Sequence, residues 1–325
     1  MVTGTQVYTV SDKVRFIESA FGRGDMARNG KNFAIWCPMC APKDRGKRKL
    51  VIRLEDDANH CWTCSWRSRS LAPLLKRFGT RAEFLKYRDT FMAEASRSLW
   101  MDPDEAKEQR VIKLPDDFTL LPLGSEYDPD TRSWNRYLNS RGVTERDMWY
   151  FKLGQSNDGE WYRRVLVPSF DAQGKLNYLI GRAIDRQRRR YENEEADRTS
   201  IVFNEISINW DKQLVICEGA FDLMKCGDNA TCLLGSTLNE NHLLFDRIIS
   251  NGTPVALALD TSARKKALRI AKKLAEYDVE ARIVDLGGYS DPGEMSKAAF
   301  REALSEAKPY DWESDLRHRI LRASK

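Results

Sequence analysis

The chain reads as an α+β protein of more than one domain, and three observations predict this. At 325 residues it exceeds the roughly 100–200 residues of a typical single domain. Two Cys-x-x-Cys pairs, in the stretches CPMC (37–40) and HCWTC (60–64), fall close together near the N-terminus. Beyond Lys212 the rhythm changes to short apolar runs alternating with helical periodicity, the pattern of a mostly parallel α/β sheet.

The first module is expected over residues 1–90. A Cys-x-x-Cys pair presents two sulfurs from one tight turn, so two such pairs supply the four tetrahedral thiolates that Zn²⁺ prefers. Cys37, Cys40, Cys61 and Cys64 are therefore the candidate zinc ligands, and KLVIRL between the pairs alternates as a strand, which predicts an N-terminal zinc ribbon. His60 is a conceivable ligand, but Cys61 beside it sits within a pair. A four-sulfur site leaves no open position, so the zinc is expected to be structural. The surface it organises carries Trp36, Trp62 and Trp66 with Lys43, Arg45, Lys47, Arg48, Lys49, Arg53, Arg67 and Arg69. Aromatic faces flanked by cations hold single-stranded nucleic acid, while each Trp taken alone is equally readable as core of a small ribbon. The stretch GDMARNGKN approaches a phosphate-binding P-loop, but its Gly spacing is one too long and Asn32 follows Lys31, so no NTPase motor is expected.

A helical pattern, SLAPLLKRFGTRAEFLKYRDTFM, closes the module, and the charged, proline-containing segment 91–115 reads as a linker. Residues 116–210 are mixed. WNRYLNSRGVTERDMWYF is helical with a break at Gly142, and RRVLVPSFDAQGKLNYLIGRAI gives two strands about a Gly-containing turn, a hairpin. From 211 to 310 QLVICEG and TPVALALD are buried strands ending in acids, and ARKKALRIAKKLAEYDV spaces Ala267, Leu268, Ala271, Leu274 and Ala275 along one helical face. Residues 311–325 form a basic tail. Cys217, Cys226 and Cys232 show no pairing pattern and read as small buried hydrophobes.

Composition narrows the function. The hydrophobic share is 42% and the charged share 31%, which fits a globular protein, and no apolar run approaches the roughly 18 residues of a membrane span. The N-terminal residues lack the apolar stretch of a signal peptide, so a cytoplasmic location and no membrane partner are expected. Net charge is only +5, but it is clustered in KDRGKRK (43–49), RSRS (67–70) and RQRRR (186–190). Any one such run is readable as a solvated loop; three with aromatic neighbours point to nucleic acid.

Carboxylates mark the second site. Glu218 ends one predicted strand, Gly219 allows a sharp turn, and Asp222 lies about one helical turn on; Asp260 ends the next strand and Asp291 precedes a proline after the third. Ligands of open α/β sheets gather outside the carboxyl ends of the strands, so these acids are expected to converge, and hard oxygen donors suit Mg²⁺.

Taken together, VICEGAFD, ALALD and DPGEM look like the three acidic stations of a toprim domain, and RYLNSRGVTERDMWYFKLG with RRVLVPSFDAQGKLNYLIGRAID is similar to the region before toprim in DnaG-type primases. With CPMC and HCWTC ahead of them, the order resembles the DnaG-type DNA primases of tailed bacteriophages over nearly the whole chain. The resemblance implies a zinc ribbon joined to a primase RNA polymerase domain containing a toprim α/β core, which makes short RNA primers on a single-stranded DNA template from ribonucleoside triphosphates. By motif match it implies Glu218 and Asp260 as catalytic, and Glu218, Asp222, Asp260 and Asp291 as ligands of catalytic Mg²⁺ or Mn²⁺. Arg164 and Arg182, with Trp36, Trp62 and Lys49, become the nucleotide- and template-binding candidates, and Arg163 a weaker one. It also implies a replicative helicase as partner and, for a phage protein, the host cytoplasm. The second station departs from the family: it reads Asp260-Thr261-Ser262 where toprim domains show Asp-x-Asp. Ser262 is therefore expected to weaken one metal position, with Asp291 or Glu294 compensating. That departure keeps open a second reading, a non-catalytic zinc/toprim DNA-binding mediator of recombination or repair. A toprim nuclease or topoisomerase has no supporting signal.

Overall fold

The chain was analysed as a computed structural model that describes residues 8–40, 48–92, 112–125, 127–235 and 237–311. Lys43, Arg45 and Lys47, most of the segment expected as a linker, and the basic tail beyond Asp311 lie outside the described residues. The contacts divide the chain into two units, one made of Met1–Lys107, Leu238–Gly252 and Glu276–Asp278, the other of Glu108–Thr237, Thr253–Ala275 and Val279–Lys325.

The first unit holds a five-stranded antiparallel sheet in sequence order, β1 (Asp25–Met26), β2 (Asn32–Ile35), β3 (Leu50–Arg53), β4 (Asn59–Cys61) and β5 (Arg67–Ser68). Alternation sets its faces: Phe33 and Ile35 of β2 and Leu50 and Ile52 of β3 are buried, while their neighbours along each strand are not. Each such side chain contributes roughly 1.5–3 kcal/mol by leaving water. GDMARNGKN forms the β1–β2 hairpin and its turn, so it has no strand-to-helix geometry for phosphate. The helix Val10–Phe21 begins with a capping box, Thr9 and Asp12 satisfying each other's backbone N–H groups, and Thr80 with Glu83 does the same for Arg81–Tyr87. A buried polar knot joins these parts. Lys13 Nζ lies 2.9 Å from Asp57 Oδ1 and donates to the Leu54 carbonyl (2.9 Å), and Tyr87 Oη donates to Asp57 Oδ2 (2.9 Å). Trp66 takes the core reading of the two left open for it: it is buried and donates from its indole to Asn59 Oδ1 (2.8 Å), because a sheet this small uses its large aromatics as core.

The same unit includes the helix Leu243–Asn251, which packs against Ala72–Phe78. Its Asp246 is buried and accepts a hydrogen bond from Ser70 Oγ, and Phe245 meets Tyr277 edge to face.

The second unit contains two further sheets. One is antiparallel, in the order β10 (Tyr191–Asn193), β9 (Leu176–Ala183), β8 (Arg164–Phe170), β7 (Gly154–Gln155) and β6 (Thr119–Leu120). Its β8–β9 hairpin has the predicted form. Asp171 Oδ1 accepts from the N–H groups of Gln173 and Lys175, and Gly174 takes the positive φ of +80° that the turn needs. Gly142, at φ +61°, separates the helices Pro129–Ser140 and Glu145–Tyr150 where the sequence breaks.

The other sheet runs β12 (Ala230–Cys232), β11 (Leu214–Cys217), β13 (Val255–Ala258), β14 (Ala281–Ile283) and β15 (Lys308–Pro309), the first four parallel and β15 antiparallel at the edge. β11 and β13 are buried at every residue, as strands covered on both faces are. The helix Arg264–Ala275 buries Ala267, Ile270, Ala271 and Leu274, the i, i+3, i+4, i+7 set. Ala275 is exposed and Leu268 half-buried, so the face shares Ala267, Ala271 and Leu274 with the expected one but is turned towards Ile270. One hydrophobic core runs through both sheets, with Val165, Val167, Tyr178 and Ile180 from the first and Val215, Cys217, Ala256 and Ala258 from the second. Cys217, Cys226 and Cys232 are buried, as the sequence predicts.

Candidate functional site

The zinc site is built by turns at strand ends. Cys37 and Cys40 follow β2, while Cys61 ends β4 and Cys64 follows it. All four sulfurs lie within 4.8 Å of one another, with Cys37 Sγ and Cys64 Sγ 3.8 Å apart and Cys40 Sγ and Cys61 Sγ also 3.8 Å apart. Tetrahedral sulfurs at about 2.3 Å from zinc stand about 3.8 Å from one another, so the four cysteines fit structural Zn²⁺. Burial pushes the Cys61 thiol up, but the N–H groups of Cys64 and Thr63 and the thiols of Cys37 and Cys64 outweigh it and bring the group to about 7, easing loss of its proton to a metal. Burial pushes Cys37 well up.

Around this ribbon Trp62 is 71% exposed and tilts against His60, with ring centres 4.5 Å apart. Trp36 is half-buried beneath the Arg48 guanidinium, 5.6 Å from the ring centre, and Lys49 is exposed.

The acidic site lies in the second unit, at the carboxyl ends of β11, β12 and β13. β11 stands between β12 and β13, so the strand order reverses there and opens a crevice. The cavity is about 370 Å³ and brings Glu218, Asp222, Asp260 and Asp291 together from three separate stretches of chain. Asp222 accepts from the Gly219 N–H (3.0 Å), which holds it at the start of a short helix. Asp291 accepts from the Glu294 N–H (3.0 Å) and opens the turn Pro292–Glu294. Within that turn a Cβ at Gly293 would sit 2.7 Å from Asp222 Oδ1 and 3.0 Å from Asp291 Oδ1, so two carboxylate oxygens from different elements converge on one point. Burial, then the charges of Asp291 and Asp260, raise Asp222 to about 7; burial, then Glu218 and Asp291, raise Asp260. Asp260 Oδ1 is buried without a hydrogen-bond partner. Converging, mutually repelling oxygens with an unsatisfied acceptor fit a hard divalent cation.

Opposite the acids stand arginines. Arg182, on β9, is only 5% exposed; its guanidinium lies 4.5 Å from the Tyr191 ring centre and 5.6 Å from that of Phe221, and its Nε has no partner. Arg141, Arg190 and Arg198 also line the cavity. Arg164 does not line it: Nε donates to the Glu160 carbonyl (2.7 Å) and Nη1 to that of Arg189 (3.0 Å). Arg163 pairs with Asp185.

Sequence reasoning missed Arg141, Arg190, Arg198 and Lys266, whose Nζ lies 2.6 Å from Glu218 Oε1. RQRRR was a signal for Arg190, whereas nothing local singles out Lys266. Ser262 is exposed and does not line the cavity, because the turn Thr261–Ala263 begins directly after Asp260. Glu294 is likewise exposed, its carboxylate accepting from the Ser290 N–H (2.9 Å).

No protein-family profile matches the chain. Among curated proteins it is similar to the DNA primase of Campylobacter jejuni subsp. jejuni, 21% identical over 346 residues covering 91% of this chain and 55% of the relative. It is also similar to that of Clostridium acetobutylicum, 23% identical over 230 residues covering 65% of this chain and 39% of the relative. The chain thus spans about half the length of the first and less of the second. Among solved structures, the zinc-binding and RNA polymerase domains of Aquifex aeolicus primase give a TM-score of 0.48 at 18% identity, covering 94% of this chain and 87% of that one. A DnaG primase catalytic domain bound to ssDNA gives 0.47 at 20%, covering 56% and 74%. A four-cysteine ribbon that fits structural zinc and a largely parallel α/β sheet with acids at its strand ends define the class of protein. Within that class the chain is similar in sequence to DNA primases.

Proposed function

We propose that the chain is a DNA primase, a DNA-directed RNA polymerase that joins ribonucleotides into short primers on single-stranded DNA. The observation that carries this reading is the single cavity in which four carboxylates face four arginines, in a chain similar in sequence to DNA primases along most of its length. In the reaction a ribonucleotide 3′-OH attacks the α-phosphate of the next triphosphate, and pyrophosphate leaves. A divalent ion, when bound, supplies charge that favours the ionised 3′-OH and the departing pyrophosphate. Asp222 and Asp291 would hold it, with Asp260 beside them. Arg182, Arg141, Arg190 and Arg198 bind and orient the triphosphate. Arg182 is the best prepared of these, since its aromatic neighbours fix the guanidinium while Nε is left unbonded. Trp62, Trp36 and Lys49 on the zinc ribbon bind template by stacking and phosphate contact, away from the chemistry.

The test is synthesis from labelled ribonucleotides on single-stranded DNA with Mg²⁺ or Mn²⁺. Short RNA products are expected from the wild type and none from Glu218→Gln, with DNA binding nearly unchanged in the variant. DNA binding without synthesis under any metal condition would favour the mediator reading.

A further inference from the structure

The carboxylates of the cavity are held in two different ways. Asp222 and Asp291 converge above Gly293, and among the described residues no Lys or Arg forms an ion pair with either. Glu218, by contrast, is bonded by an ammonium. Lys266 reaches it from the first turn of the helix Arg264–Ala275 at 2.6 Å, and its side chain is only 15% exposed. Asp260 lines the same cavity as Glu218. The second acidic turn adds no further carboxylate, since Ser262 faces solvent.

We infer that Lys266 is the resident cation of the Glu218 side, so that the cavity takes one divalent ion, at the Asp222–Asp291 pair, and an ammonium in the place of a second. An ammonium is a compact point charge and suits the neutralisation of one carboxylate. A divalent ion at Glu218 has first to displace it, giving up a short ion pair in a partly desolvated place. Without that ammonium, Glu218 and Asp260 form a second unneutralised carboxylate pair and attract an ion of their own. The residue is thereby a positioning residue, acting through Glu218 and through the number of ions held. The inference rests on the acidic cavity being the metal site.

The experiment counts ions. The full-length, zinc-loaded protein is titrated with Mn²⁺ without nucleotide, and free Mn²⁺ is read by electron paramagnetic resonance. One Mn²⁺ per chain is expected in the wild type, removed by Asp222→Asn. Lys266→Met should gain a second Mn²⁺, or bind roughly tenfold more tightly, and lose the gain when Glu218→Gln is added. Lys266→Arg should keep the wild-type count. Lys266→Gln repeats the measurement should the Met variant lose its zinc or its helical signal. A Lys266 variant with unchanged or weaker Mn²⁺ binding, or two ions in the wild type, overturns the inference. Mn²⁺ binding that Asp222→Asn leaves intact, or no binding at all, overturns the metal-site reading beneath it.

Discussion

Asp222 shows how one residue can oppose folding in the service of a site. Its carboxyl holds a proton up to about pH 7 in the folded chain, against an ordinary value of 3.8, because it is buried beside Asp291 and Asp260. The folded state therefore binds the proton more tightly than the unfolded state. The residue has no destabilising effect below pH ~4, a growing one from ~4 to ~7, and a constant one above, on the order of 4 kcal/mol at most. Asp222→Asn should accordingly raise the melting temperature at pH 8 without added divalent ion, while leaving it nearly unchanged at pH 4. Equal shifts at both pH values would remove the carboxylate charge as the cause. The four acids were legible in the sequence because each follows a strand, and strand ends are readable from apolar runs. Lys266 was not: it is one of several lysines in a helix, and only the helix's rotation and its packing against β13 and β14 bring its ammonium to Glu218.

At the scale of elements, the ribbon and the knot beneath it carry separate stabilities. Cys64→Ser should abolish zinc binding, measured by metal analysis after dialysis, since a neutral hydroxyl does not replace a thiolate and metal binding drives the folding of so small a sheet. A variant that keeps one zinc per chain would remove Cys64 from the ligand set. Lys13→Met leaves Asp57 buried beside Tyr87 without its cation, and a loss of about 3–5 kcal/mol in denaturant unfolding is expected. A loss below about 1 kcal/mol would mean that Asp57 takes up a proton at little cost. The ribbon was legible from cysteine spacing and the alternation of KLVIRL, and the β8–β9 hairpin from its turn residues. The knot was not, because Lys13, Asp57 and Tyr87 are far apart in sequence and each alone reads as surface. Trp66 stayed ambiguous for a related reason: type and charged neighbours suggest a stacking platform as readily as core, and the Asn59 partner of its indole is found only in the folded sheet.

For the whole molecule, the sequence suggested modules that follow one another along the chain, whereas both units are discontinuous, each made of three stretches. The helix Leu243–Asn251 has the periodicity of any α/β crossover helix. Its Asp246, hydrogen-bonded to Ser70, joins it to the unit that begins at the N-terminus. A fragment ending at residue 107 lacks that helix and Tyr277. It should retain zinc but unfold at lower denaturant than the same unit in the full chain, as followed by Trp66 fluorescence. An identical midpoint would mean that the helix adds nothing to the unit.

The same discontinuity sets a schedule during synthesis. The cysteines leave the ribosome early and can close around zinc at once, whereas the helix and Tyr277 follow only after well over a hundred further residues. At roughly 5–20 residues per second the nascent N-terminal unit waits ten seconds or more for its last segments. Through that interval a zinc ion held by the four cysteines would brace a unit whose later segments have not yet been made, so a shortage of zinc should be felt most during synthesis.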